Sequence, residues 1–82
     1  MSYSTRRAPA AVREERKLRM VREAIAMVAS GASRRVVLAG ISRGAAILDT
    51  ARRLGLESGV RVNRLEQRED KGADLAVEPI YE

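Results

Sequence analysis

The 82-residue chain has no cysteine, no histidine, no tryptophan and no phenylalanine. Without cysteine there is no disulfide frame and no thiolate chemistry, and a reducing compartment is the simplest expectation. Without Cys or His, the common zinc sites and the Ser–His–Asp arrangement are out of reach. The only aromatic side chains are Tyr3 and Tyr81, both near the termini. Stacking of splayed bases, the main device of single-strand readers, therefore has almost nothing to work with. No apolar run approaches the roughly 18 residues of a membrane span, and no signal peptide is evident. A cytoplasmic protein is expected, with nucleoid association compatible with that reading. Asp49, Asp74 and Glu78 are the available carboxylates, and no pair of acids has a spacing that asks for general acid–base work. Asp49 reads as a helix-surface residue or a partner of Arg52 or Arg53. The expectation is a protein that is not an enzyme and uses no metal or cofactor.

What the chain does have is arginine. Arg outnumbers Lys 14 to 2, and the formal net charge is +5. The charge is uneven: residues 1–64 carry a net +9, residues 65–82 a net −4. A basic body with an acidic tail suits a polyanion partner. The competing explanation is high genomic GC content, which raises Arg without any ligand. At this length one small domain with a modest core is expected, with little stability to spare.

The organising stretch is Arg34 to Leu54. Arg35-Val36-Val37-Leu38-Ala39 is a β-branched apolar run, the pattern of a strand covered on both faces. Gly40-Ile41-Ser42-Arg43-Gly44 follows, with two glycines for tight backbone geometry and Ser42 as candidate N-cap. Ala45 to Leu54 then carries Ile47, Leu48, Ala51 and Leu54 at helical spacing. Such a turn aims backbone N–H groups and a helix dipole at whatever lies before it, an anion site in which Arg43 stands.

The remaining elements follow in order. Residues 1–11 read as a basic arm, with Arg6 and Arg7 either touching phosphate or simply solvated. Residues 12–82 read as the single domain. Its first helix, Val12 to Ser30, has a stripe of Leu18, Val21, Ile25 and Val28, widened by Ala24 and Ala29, and Gly31 at C′. Arg13, Arg16 and Lys17 lie among Glu14 and Glu15, either as i,i+4 partners or as an exposed basic face. Gly55 is expected to end the second helix. Val60-Arg61-Val62-Asn63 alternates as a half-buried strand with Arg61 and Asn63 outward, and the alternation breaks near Arg64, which predicts a bulge. Asp70-Lys71-Gly72 is turn chemistry. Ala73 to Glu78 returns as an antiparallel partner, stopped by Pro79. The strands flanking the second helix are expected to be parallel neighbours joined by a crossover. The fold class is α+β, a two-layer α/β sandwich.

The run Ala29-Ser30-Gly31, then Gly40-Ile41-Ser42-Arg43-Gly44, Ala46-Ile47, Ser58-Gly59-Val60 and the closing Leu75-Ala76-Val77-Glu78-Pro79 resembles the Alba superfamily of small basic chromatin or RNA-binding proteins. Its Ser-Gly-Val and Val-Glu-Pro elements also look like the sporulation stage V protein S branch. The resemblance implies a strand–helix–strand–helix–strand–strand order, with the first strand short or missing here or drawn from Thr5 to Val12, and a homodimer. It also implies nucleic-acid contacts near the start of the first helix, at the turn Ser42, Arg43 and Gly44, and on the last hairpin at Arg64, Arg68 and Lys71.

Together these readings give a binder of duplex DNA or RNA through backbone phosphates, with little sequence preference. Its contact set is Arg6, Arg7, Arg13, Arg16, Lys17, Ser42, Arg43, Gly44, Arg61, Arg64, Arg68 and Lys71. The alternative is a regulatory module that binds a protein, with Arg43 and the helix N-terminus taking a carboxylate or phosphate. Leu48 and Leu54 are candidates for a double duty in core and dimer interface, or for the core alone.

Overall fold

Val21, Ile25 and Val28 on one helix and Ile47, Leu48 and Ala51 on another are all buried, so each stripe finds the sheet it needs. The computed structural model describes residues 10–42, 45–69 and 72–80. The elements are α1 (Ala10–Ala29), β1 (Val36–Ser42), α2 (Ala45–Glu57), β2 (Val60–Gln67) and β3 (Gly72–Pro79). Both helices pack with Leu38, Ile41, Val60, Val62, Leu75 and Val77 of the sheet in one core. The result is the two-layer α+β arrangement, with the opposite face of the sheet open.

The sheet order is β1-β3-β2, antiparallel at both pairings. The strands flanking α2 run parallel, but they are not the neighbours that a simple crossover predicts. β3 lies between them, and its burial explains why. Its side chains from Ala73 to Val77 are buried apart from Asp74, which is half-buried, the signature of a central strand. β2, with exposed side chains from Arg64 onward, makes an edge.

Several local expectations need correction. α1 begins at Ala10, so Ala10–Val12 are helix and cannot be the end of a first strand. The rest of that stretch, with Arg6 and Arg7, lies outside the described residues. Ala29 is exposed and does not widen the stripe. Gly31 does close the helix: its N–H donates to the Val28 carbonyl (3.1 Å), and the Ala32 N–H donates to the Met27 carbonyl (3.0 Å). With φ +82° at Gly31 this is a Schellman end.

β1 does not stop at Ala39. Register passes from Leu38↔Leu75 to Ile41↔Ala73, so one extra residue is inserted, and Gly40 takes φ +73° to do it. The bulge lets Ile41 return to the core side. Ser42 is accordingly the last strand residue, opposite Gly72, and not the N-cap of a helix that starts at Ala45.

Gly55 does not end α2. It lies inside the helix, where a Cβ would sit 2.9 Å from Val62 Cγ2 and 3.0 Å from the Val60 carbonyl oxygen. Its role is close approach of helix to strand. The left-handed residue that ends the turn is Gly59, at φ +78°. The bulge expected in β2 is present, between Arg64 and Glu66.

Candidate nucleic-acid interface

The strand register gathers the loops. Ser42 pairs with Gly72 and Gln67 with Ala73, so the β1–α2 turn and the β2–β3 hairpin leave the sheet at the same end. The Arg68 N–H donates to the Gly72 carbonyl (2.8 Å) and closes that hairpin.

Helix geometry brings Arg64 to this end as well. Gly55 touches Val60 and Val62, which fixes where α2 crosses β2. Ala45 lies about 15 Å back along the helix axis, and that distance equals roughly four to five strand residues. The first turn of α2 therefore comes level with Arg64 to Glu66. Arg64 shares the phase of Val60 and Val62, the helix-side row, yet is exposed. By helix rise it comes level with the mouth of α2.

α1 contributes a third group. Arg22, Ile25 and Ala26 line one groove with Leu54, Glu57 and Ser58, so the middle of α1 flanks the end of α2. The chain reverses between each helix and the strand that follows it, so the two helices run in the same direction. Stepping back along both from that groove brings Ala45 level with the turns that hold Arg13, Arg16 and Lys17. From Ala11 to Arg16 every side chain is exposed. Lys17 Nζ lies 3.7 Å from Glu14, while Arg13 and Arg16 have no ion-pair partner among the described residues.

Not every expected residue joins this end. Arg61 sits opposite Glu78 near the start of β2, at the other end of the sheet. Arg43, Gly44 and Lys71 lie outside the described residues, as does the Ser42 side chain. Arg68 is present but held: its guanidinium is 3.7 Å from Asp74 Oδ1. Glu66, Gln67, Arg68, Glu69 and Asp74 line a hollow of about 550 Å³ on the hairpin, with three acids to one arginine. The described part of the hairpin is therefore acidic.

Asp74 has a role that sequence reading did not assign. Its Oδ1 accepts a hydrogen bond from the Gly40 N–H (3.3 Å) in the β1 bulge while facing Arg68. From the central strand it ties both edges together at the loop end. Arg52 was likewise read only as a partner of Asp49. No ion pair links Asp49 to Arg52 or Arg53. Arg52 instead lines a groove with Arg61. Charge patterning cannot find either feature, because one depends on cross-strand pairing and the other on the packing of α2 against β2.

Leu48 is buried and Leu54 half-buried against the same core, so both serve the core. Among the described residues, no helix is long and apolar enough to cross a membrane, and no group of three or more His, Cys, Asp or Glu could hold a metal ion. No protein-family model, no curated protein and no solved structure matches this chain.

Proposed function

We propose that the protein is a non-enzymatic binder of duplex nucleic acid that grips backbone phosphates with little regard to sequence. What supports this is the placement that helix rise and strand register give to one end of the molecule: the first turn of α2, Arg64 level with it, and the Arg13–Lys17 turns of α1. Arg13, Arg16 and Arg64 have no ion-pair partner among the described residues, so phosphates meet unneutralised guanidinium groups. Arg43, two residues before α2 in the sequence, is tested alongside them. Arg61 is left out, since it stands at the other end. The order helix–strand–helix–strand–strand agrees with the last five elements that the Alba resemblance implies, which supports that kinship. A homodimer in the cytoplasm or on the nucleoid completes the proposal, with the exposed Met20 and Met27, which line one groove with Val36 and Leu38, as apolar surface for self-association.

The test is binding to duplex DNA, duplex RNA and single strands across a salt series, with R43A and R64A as variants. With about six phosphates neutralised, log K falls against log salt with a slope of around −5. Each variant reduces the slope by about one. A flat salt response rules the mechanism out. Solution mass at micromolar concentration tests the dimer, and a monomer counts against it. One observation favours a second reading. The acids around Arg68 repel a polyanion, and a module that binds protein has no such conflict.

A further inference from the structure

The start of β2 carries a second, separate surface. Arg52, Leu56, Arg61, Val62 and Asn63 line a groove of about 260 Å³ between α2 and β2. No acid lines it. Neither Arg52 nor Arg61 has an ion-pair partner among the described residues. Leu56 is 67% exposed, the most exposed large apolar side chain described. Beside the groove runs the outer edge of β2, which has no strand neighbour among the described residues and contains no proline. An edge of this kind holds alternate N–H and C=O groups ready to pair with another backbone.

We infer that this flank binds an extended, acidic segment of another protein as an added strand on β2. The segment's backbone continues the ladder along Val60–Asn63. Its apolar side chains cover Leu56, and its carboxylates meet Arg52 and Arg61. Charge decides the occupant. A second copy paired edge to edge over Val60–Asn63 sets the same arginines against each other, which is unfavourable. A nucleic-acid backbone can take the strand's N–H groups as donors but has no apolar group to cover the exposed leucine. The inference does not rest on the nucleic-acid reading, because it uses the opposite end of the sheet.

The experiment is an NMR titration of the full chain with a synthetic peptide as long as β2, carrying Glu at each outward position and Val and Glu in turn at the positions that face α2. Amide shifts are expected at Val60–Asn63 and around Arg52–Leu56, at peptide concentrations up to about 1 mM. R52A/R61A weakens binding by about tenfold, since two exposed charge pairs are lost. Both side chains are exposed, and unchanged amide spectra elsewhere show that the variant folds. N-methylation of alternate peptide bonds on the pairing side abolishes binding, whereas a purely ionic contact survives it. Absence of shifts, shifts centred on other elements, or equal binding of the N-methylated peptide overturns the inference. So does a short DNA duplex that shifts these same amides and loses as much affinity in R52A/R61A. Loss of duplex binding in R64A with peptide binding intact separates this site from the phosphate surface.

Discussion

The two halves of β2 differ in packing and in charge. From Val60 to Asn63 the strand lies against α2, with Val60 and Val62 buried at 1% and 3% exposure. Asn63 Nδ2 donates to Glu78 Oε1 (2.9 Å), which fixes the outward row as well. Past the bulge at Arg64, every β2 side chain is exposed, and the acids Glu66, Glu69 and Asp74 surround Arg68. The first half holds Arg61, which no acid neutralises; the hairpin that follows the second half holds Arg68, which Asp74 does. A count of arginines treats Arg61, Arg64 and Arg68 alike. The structure separates them by what each faces.

The packing side of this contrast predicts the largest effects. Val62→Ala removes buried methyl groups and leaves a cavity under α2, costing roughly 2 kcal/mol. Leu65→Ala, at an exposed bulge position, costs less than about 0.5 kcal/mol. Urea denaturation of both variants measures the difference, and equal costs would erase the division of β2. Gly55→Ala is a sign test of the same contact. In an open helix interior the change stabilises by up to about 1 kcal/mol. Here the new Cβ falls 3.0 Å from the Val60 carbonyl oxygen and 2.9 Å from Val62 Cγ2. Helix and strand must separate, and we expect a net loss of about 1–2 kcal/mol. A gain in melting temperature would show that the contact yields.

Much of the local structure was legible in the residues. The stripes of both helices, Gly31 at C′ and the break in alternation near Arg64 follow from period and turn chemistry, which act over a few residues. What was not legible depends on pairing between distant segments. The placement of β3 between β1 and β2 follows from how much of its surface is buried, which alternation alone does not report. Gly55 looks like a helix stop until the proximity of Val60 and Val62 is known. Gly40 looks like the end of a strand, but a bulge uses the same residue to carry the strand onward. For the site, placing Arg64 level with the α2 mouth needed the contact of Gly55 with Val60 and Val62. The capture of Arg68 by Asp74 needed the β2–β3 pairing of Gln67 with Ala73.

On the charge side, R64A and R68A should part company. Arg64 has no ion-pair partner among the described residues, and its loss is expected to weaken duplex binding by about fivefold, with the salt slope smaller by about one. Arg68 already faces Asp74, so R68A is expected to change affinity less than about twofold, because much of its charge is compensated in the free protein. Anisotropy titrations at one salt concentration suffice. If R68A matches or exceeds R64A, the pairing with Asp74 opens on binding and the hairpin belongs to the phosphate surface.

The smallest effect isolates that pairing. Asp74→Asn keeps an oxygen that can accept from the Gly40 N–H, so the tie to the β1 bulge persists. It removes the ion pair and one negative charge near the mouth of α2. Duplex affinity should rise by about threefold, while stability changes by less than about 0.5 kcal/mol, as expected for an exposed pair. Glu69→Gln makes the same change of charge in the same hollow and leaves Asp74 in place. If the two variants gain equally, only the net charge matters. If D74N gains more, and the excess disappears in an R68A background, Asp74 restrains Arg68. The hairpin's acids would then set how much of its basic charge a phosphate backbone can reach.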